Sequence, residues 1–220
     1  MRVRKREQIV TVQMTEKAYR EEDFADVDLR DEALEEISFT DCDFTDASLA
    51  GGRSRRVTFE RCRFIGTELY GSVHQSSSFV SCTFERAALH GASLTGCRLI
   101  GSTFTDCRML PLTIRECDLT LVSLAGASLA GTDLSGLRMR EANLVGANFS
   151  GCDLRGADLS GARTERLDLT GADLRGALAD AALWVGAKLA DAVVDVEQAV
   201  LFAAAHGLVL RVNGDAVDPS

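Results

Sequence analysis

The chain has 220 residues, of which 33 are acidic and 24 basic, for a net charge of −9. That length suits one sizeable domain, the acidic balance argues against direct nucleic-acid binding, and no apolar run approaches the roughly 20 residues of a membrane span. Three histidines in unrelated settings, with no metal spacing, nucleophile elbow or phosphate loop, argue against an enzyme, and no cofactor is expected.

Residues 1–15 (MRVRKREQIVTVQMT) precede any repeat and read as a basic arm or a strand covering the first repeats. They lack the apolar core of a secretion signal. From Phe24 to Val194 every fifth residue then falls in one register, and the repeat domain is assigned to 16–194. Of its 35 register positions only Ser54, His74, Thr164 and Ala179 are not bulky and apolar. A period of five fits neither a helix nor a plain strand. Kept over a whole chain, a short fixed period means a solenoid.

The other columns sort just as cleanly. Two residues before each apolar centre the side chain is small, as in Ala92, Ala142 and Ala172, and all seven cysteines share that slot. One before the centre is often Asp: Asp118, Asp133, Asp153, Asp158, Asp168, Asp173. Two after it is the slot of 16 of the 19 glycines, with Asp26, Asp31, Asp41, Asp46 and Asp106 elsewhere in the same column. Strand side chains alternate, so the centre and the small residue share an inner face and the Asp between them points to water. Gly or Asp then turns the chain. The cysteines therefore read as small packing residues without CxxC spacing, in a reduced compartment, which suggests the cytoplasm.

Charge varies along this rod. Residues 16–46 hold 13 acidic and 3 basic side chains, whereas 47–100 hold 3 and 7, with Arg53, Arg55 and Arg56 clustered. Ser54 and His74, 20 residues apart, break the apolar column, and a local bulge is expected around 51–56 and 71–77. Pro111 occupies a corner slot, and its missing N–H predicts a broken rung and a kink near mid-rod. Asp133, Asp153 and Asp173 recur every 20 residues. Such a series is either a solvated face or a regular negative surface for a protein that normally holds DNA, drawn in by long-range attraction.

Residues 195–212 form a C-terminal unit. DVEQAVLFAAAHG (195–207) predicts a short helix with Asp195 as N-cap, Gln198 completing a capping box and Gly207 as the stop. One face covers the last repeat; the other, with Val200, Leu201, Phe202, Leu208 and Leu210, needs a second burial surface, and a symmetry mate supplies one. GLVLRV (207–212) is expected to add a strand there, and 213–220 is expected to be a flexible tail.

The motifs ANLVG (142–146), ADLSG (157–161) and ADLRG (172–176) resemble the pentapeptide-repeat family. SCTFER (81–86), CRMLPLTI (107–114), SGART (160–164), ALW (182–184) and DVEQAVLFAAAHGL (195–208) are similar to its mycobacterial fluoroquinolone-resistance branch, the MfpA group, related to the Qnr proteins. The resemblance implies an all-β fold, a right-handed quadrilateral parallel β-helix with a short C-terminal capping and dimerisation helix. Four five-residue sides then close one coil, which puts Phe24, Phe44, Phe64, Phe84 and Phe104 on one wall and Phe39, Phe59 and Phe79 on the next. With rungs about 4.8 Å apart, some 8.5 coils make a rod on the order of 40 Å long. It implies a DNA-mimicking partner of DNA gyrase, a homodimer joined at its C-terminal ends, and a cis Leu110–Pro111 bond. The main rival is a structural or protein-interaction solenoid without a topoisomerase partner. The long basic arm, the tail after Leu210 and the arginine-rich waist depart from the family pattern.

Overall fold

The computed structural model describes Met14, residues 16–209 and the backbone of 211–212 and 215–216. The rest of the arm 1–15, Leu210 and most of the expected tail lie outside the described residues. The chain winds into a parallel β-solenoid whose rungs recur every 20 residues. Wall 1 carries Tyr19, Phe39, Phe59 and Phe79 in register; wall 2 carries Phe64, Phe84 and Phe104; wall 4 carries Leu34, Ser54, His74, Leu94 and Ile114. Wall 3 is held by single bridges such as Asp28↔Ser48 and Asn148↔Asp168.

Most sides end in a corner residue in the left-handed region, such as Asp26 (φ 59°), Gly66 (φ 65°) and Leu121 (φ 61°). The conformation costs most L-residues about 1–2 kcal/mol, which explains the Gly and Asp in this column. At these corners the amide is typically spent on the next coil: Asp26 N–H donates to the Thr45 carbonyl at 2.9 Å and Gly126 N–H to Val145 at 3.0 Å. Those rung bonds also hold Leu121 and Glu141 (φ 55°) in the same conformation.

The interior is a dry column of stacked side chains. Phe24, Phe44, Phe64, Phe84 and Phe104 stack on wall 2 with ring centroids 4.5 to 5.1 Å apart, and Phe39, Phe59 and Phe79 stack on wall 1 at 4.9 to 5.0 Å. Neighbouring rings on the two walls meet edge to face, as Phe39 and Phe44 do at 5.3 Å. This herringbone favours the ring quadrupoles. Six cysteines are buried and Cys107 is half-buried, all as free thiols. Their sulfurs reach carbonyls of the preceding coil, as Cys62 does to Phe39 O at 3.4 Å and Cys152 to Leu129 O at 3.0 Å. Burial pushes the Cys152 thiol up to about 11, so it stays protonated.

The expected bulge around Ser54 and His74 is not there. Arg53–Arg55 and Val73–Gln75 are regular strands paired in register. The two polar side chains bond to each other inside the coil, so the backbone has no reason to swing them out.

At the Pro111 corner the rungs part. The Leu110–Pro111 peptide is cis. Walls 1 and 2 stay zipped through mid-rod (Asp118↔Arg138, Thr103↔Ser123), while among the described residues no bridge joins Arg108 to Ser128 or Thr113 to Asp133. Pro111 lacks the amide a corner residue donates, and the Gly91 amide bonds to the Pro111 carbonyl. The opening is a cleft of about 370 Å³ lined by His90, Cys107, Arg108, Met109, Leu110 and Ser128.

Near the C-terminal end the five-residue register gives way to a helix it did not signal. α1 (Ala181–Gly186) replaces one side of the coil while keeping Leu183 and Trp184 buried. Its corner slot holds Ala181, and AALW is a run of competent helix formers. α2 (Val196–Ala205) then closes the rod. Beyond it, Arg211–Val212 pairs antiparallel with Asp215–Ala216, the latter within the segment expected as tail.

Candidate protein-interaction surface

The outward carboxylates have a structural duty before any functional one. In each, Oδ1 accepts the amide two residues on: Asp118 from Thr120 at 3.0 Å, Asp133 from Ser135 at 3.1 Å, Asp153 from Arg155 at 3.1 Å, Asp158 from Ser160 at 3.0 Å, Asp168 from Thr170 at 3.1 Å and Asp173 from Arg175 at 3.2 Å. This local bond satisfies an amide that the ladder leaves free. Asn143 and Asn148 do the same for Val145 and Ser150, which is why Asp and Asn share the slot.

The six divide over three walls. Asp133, Asp153 and Asp173 stack directly on wall 4. Asp118 and Asp158 lie on wall 1 with Arg138 between them, and Asp168 lies on wall 3 below Lys188. Cations interleave with all three sets. Arg155 Nε lies 2.9 Å from Asp153, Arg175 Nε 2.9 Å from Asp173, Arg138 3.4 Å from Asp118, Arg140 3.3 Å from Asp158 and Lys188 3.2 Å from Asp168. The guanidiniums of Arg155 and Arg175 hold the Asp153 and Asp173 carboxyls below the usual range; the Ser135 and Thr170 hydroxyls do so for Asp133 and Asp168. All four stay ionised through neutral pH.

The waist pairs with the acidic coil beneath it. Arg56 lies 3.1 Å from Glu35 and 2.5 Å from Glu36, Arg61 2.7 Å from Asp41 and Arg63 3.5 Å from Asp43, and Arg55 contacts Glu35. These exposed pairs add about 0–1 kcal/mol each, but they erase much of the local field. Among the described residues, Glu16, Glu21, Glu22, Asp23, Asp26, Asp31, Glu32 and Asp46 have no described cationic partner within salt-bridge distance. All but Asp46 lie at or before the first coil. The uneven charge of residues 16–46 is visible in the sequence; that the waist arginines reach Glu35, Glu36, Asp41 and Asp43 is not.

At the other end, α2 buries only Gln198 and Ala203 against the rod. Phe202 is 40% exposed, Leu201 38% and Leu208 60%, and Val200 is half-buried. Val193, Val196 and Val209, close by in the chain, are also exposed, and the sequence-derived set omitted them. Among the described residues no three His, Cys, Asp or Glu side chains gather as a metal ion requires.

The family model for pentapeptide repeats matches eight copies over residues 37–73, 75–110, 117–156 and 152–177. No curated protein matches the chain in sequence. Among solved structures, full-length QnrB1, a plasmid-mediated fluoroquinolone resistance protein, aligns at 22% identity over 87% of this chain and 100% of its own, with a TM-score of 0.72. Two trypsin-treated variants of QnrB1 align at 24% and 23% identity, each over 88% of this chain and 97% of theirs, with TM-scores of 0.76 and 0.77.

Proposed function

The chain belongs to the pentapeptide-repeat family, and from that premise we propose that it is a DNA-mimicking protein that binds DNA gyrase, modulates or inhibits it, and protects it from quinolone-type or natural topoisomerase poisons. The observation that carries this reading is the rung-by-rung stacking of Asp133, Asp153 and Asp173 on a rigid rod. Carboxylates repeat there about every 4.8 Å, a periodic negative surface comparable in kind to a duplex with one charge per about 1.7 Å. A basic channel built for DNA attracts such a rod from a distance. The dense carboxylates of the first coil add to that field. The likeness in fold to QnrB1, a fluoroquinolone resistance protein, and the motifs that resemble the MfpA group support this reading.

The apolar C-terminal face supports a homodimer through Val200, Leu201, Phe202, Leu208 and Leu210, which doubles the length of the rod. The protein acts by binding rather than by catalysis, in the cytoplasm where gyrase works. A second reading, a scaffold without a topoisomerase partner, is favoured by one observation: Arg155 and Arg175 sit within the wall 4 column.

Gyrase supercoiling and quinolone-induced cleavage, measured with added protein, separate the two. We expect an effect at micromolar concentration or below, weakened when Asp133, Asp153 and Asp173 are replaced together by Asn. The Asn side chains keep the local amide bonds, so the substitution removes charge alone. No effect from well-folded dimer at any concentration rules the gyrase reading out. An unchanged affinity of the triple variant moves the contact to another wall or to the acidic N-terminal coils.

A further inference from the structure

Of the interior positions on the five-residue register, Ser54 and His74 form the one polar pair stacked rung on rung. Ser54 Oγ lies 2.7 Å from His74 Nδ1 and 3.0 Å from Ser77 Oγ, and Ser72 Oγ lies 2.9 Å from His74 Nε2. Ser72 donates its own proton to the Leu69 carbonyl at 2.6 Å. Its oxygen therefore accepts from Nε2–H, and Nδ1 is the bare nitrogen that takes the Ser54 proton. Ser77 receives the Val57 amide at 3.2 Å, and its one proton is shared between Ser54 Oγ at 3.0 Å and the Gln75 carbonyl at 3.1 Å. All four side chains are buried and all have partners. Thr164, the other polar residue at a centre, has a buried hydroxyl with no partner among the described residues.

A set of this kind adds little net stability, because buried hydrogen-bonded groups roughly break even against apolar side chains of similar volume. What it can add is specificity. The five-residue units are nearly interchangeable, so a coil closed one unit short or one unit long still lays an apolar centre over an apolar centre, and hydrophobic pattern alone specifies such registers weakly. In a coil one unit short Ser54 faces Leu69 and His74 faces Leu89. In a coil one unit long they face Phe79 and Leu99. Either error strands a buried hydroxyl and a buried imidazole, a penalty the all-apolar stretches of the rod do not impose. A single buried polar position fixes register in coiled coils by the same logic.

We propose that Ser54, Ser72, His74 and Ser77 form a register pin, a buried hydrogen-bonded set that fixes which coil closes on which in the N-terminal half of the rod. Leu34 below and Leu94 above show what the wall accepts in their place. The test is the double variant Ser54→Leu/His74→Leu, unfolded in denaturant and refolded by dilution beside the natural protein and a Thr164→Leu control. Native recovery is read by hydrogen exchange of the 44–94 rungs. We expect the double variant to keep its β structure and its unfolding midpoint, to recover several-fold less native material, and to yield a product with altered exchange in those rungs. The Thr164→Leu control is expected to refold as the natural protein does. Equal recovery of native rungs by the double variant overturns the proposal. So does a double variant without β structure, because the quartet would then supply stability rather than register.

Discussion

His74 shows how far a single residue departs from its column. Burial alone lowers its pKa from 6.5 to about 4, and no charged side chain contributes. The folded protein therefore holds the ring neutral while the unfolded chain protonates it below 6.5. The stability from this group is complete above that pH and is lost as pH falls towards 4, by about 3 kcal/mol for a shift of this size. Unfolding free energies from urea titrations between pH 7 and pH 4 are expected to lose that contribution, and His74→Leu is expected to remove this part of the dependence. Phe84, stacked between Phe64 and Phe104 and 2% exposed, makes the simpler case. Phe84→Ala is expected to cost about 3–5 kcal/mol in the same assay. Gly66 tests the corner: a Cβ there would meet the Asp46 carboxylate at 2.3 Å, at φ +65°. Gly66→Ala is expected to destabilise by at least the roughly 1–2 kcal/mol of the left-handed conformation. The corner glycine was legible from the five-residue count, and the Phe stacks from that count together with the four-sided closure the resemblance implies. The His74 bonds were not, because Ser54 comes from a neighbouring coil and the pairing with Ser72, two residues back, depends on the ring being turned inward.

At the scale of the element, the end of the rod is closed by side chains that stand in for a missing coil. Asp195 accepts the Gly176 amide at 2.9 Å, and Asp180 accepts that of Gly161 at 2.6 Å. In a regular coil those corner amides would reach a main-chain carbonyl. Gln198, buried at 3% exposure, gives its amide group to the carbonyls of Leu174 and Ala177, while its own amide and oxygen complete the capping box with Asp195. One residue thus caps both the helix and the sheet. Gln198→Ala strands two carbonyls in a buried site and is expected to cost about 1–3 kcal/mol. Faster hydrogen exchange at 174–178 checks it. The capping box was readable from spacing. The second duty of Gln198 was not, since it depends on where α2 lands, and α1 was hidden because Trp184 keeps the five-residue register while its backbone does not.

For the whole molecule the question is what the two ends of the rod face. The apolar end beyond α2 is too exposed to suit a solvated surface, and burying it against a symmetry mate removes the patch. Phe202→Glu is expected to yield monomer in sedimentation; a persistent dimer refutes this junction. The opposite end carries the acidic first coil, and in such a dimer the two acidic ends point outward.

The sequence by itself determined the solenoid, the inner and outer faces and the capping box, because each arises from a local period or spacing that holds wherever the coil lies; the aromatic columns also needed the four-sided closure that the family resemblance implies. Only the tertiary structure decided which carboxylates the waist arginines pair with, that Ser54 and His74 satisfy each other, and that the rungs part on two walls at Pro111. These are matters of what lies one coil above or below, about 20 residues away in the chain but one rung away in space, and the pattern of any single repeat does not contain them.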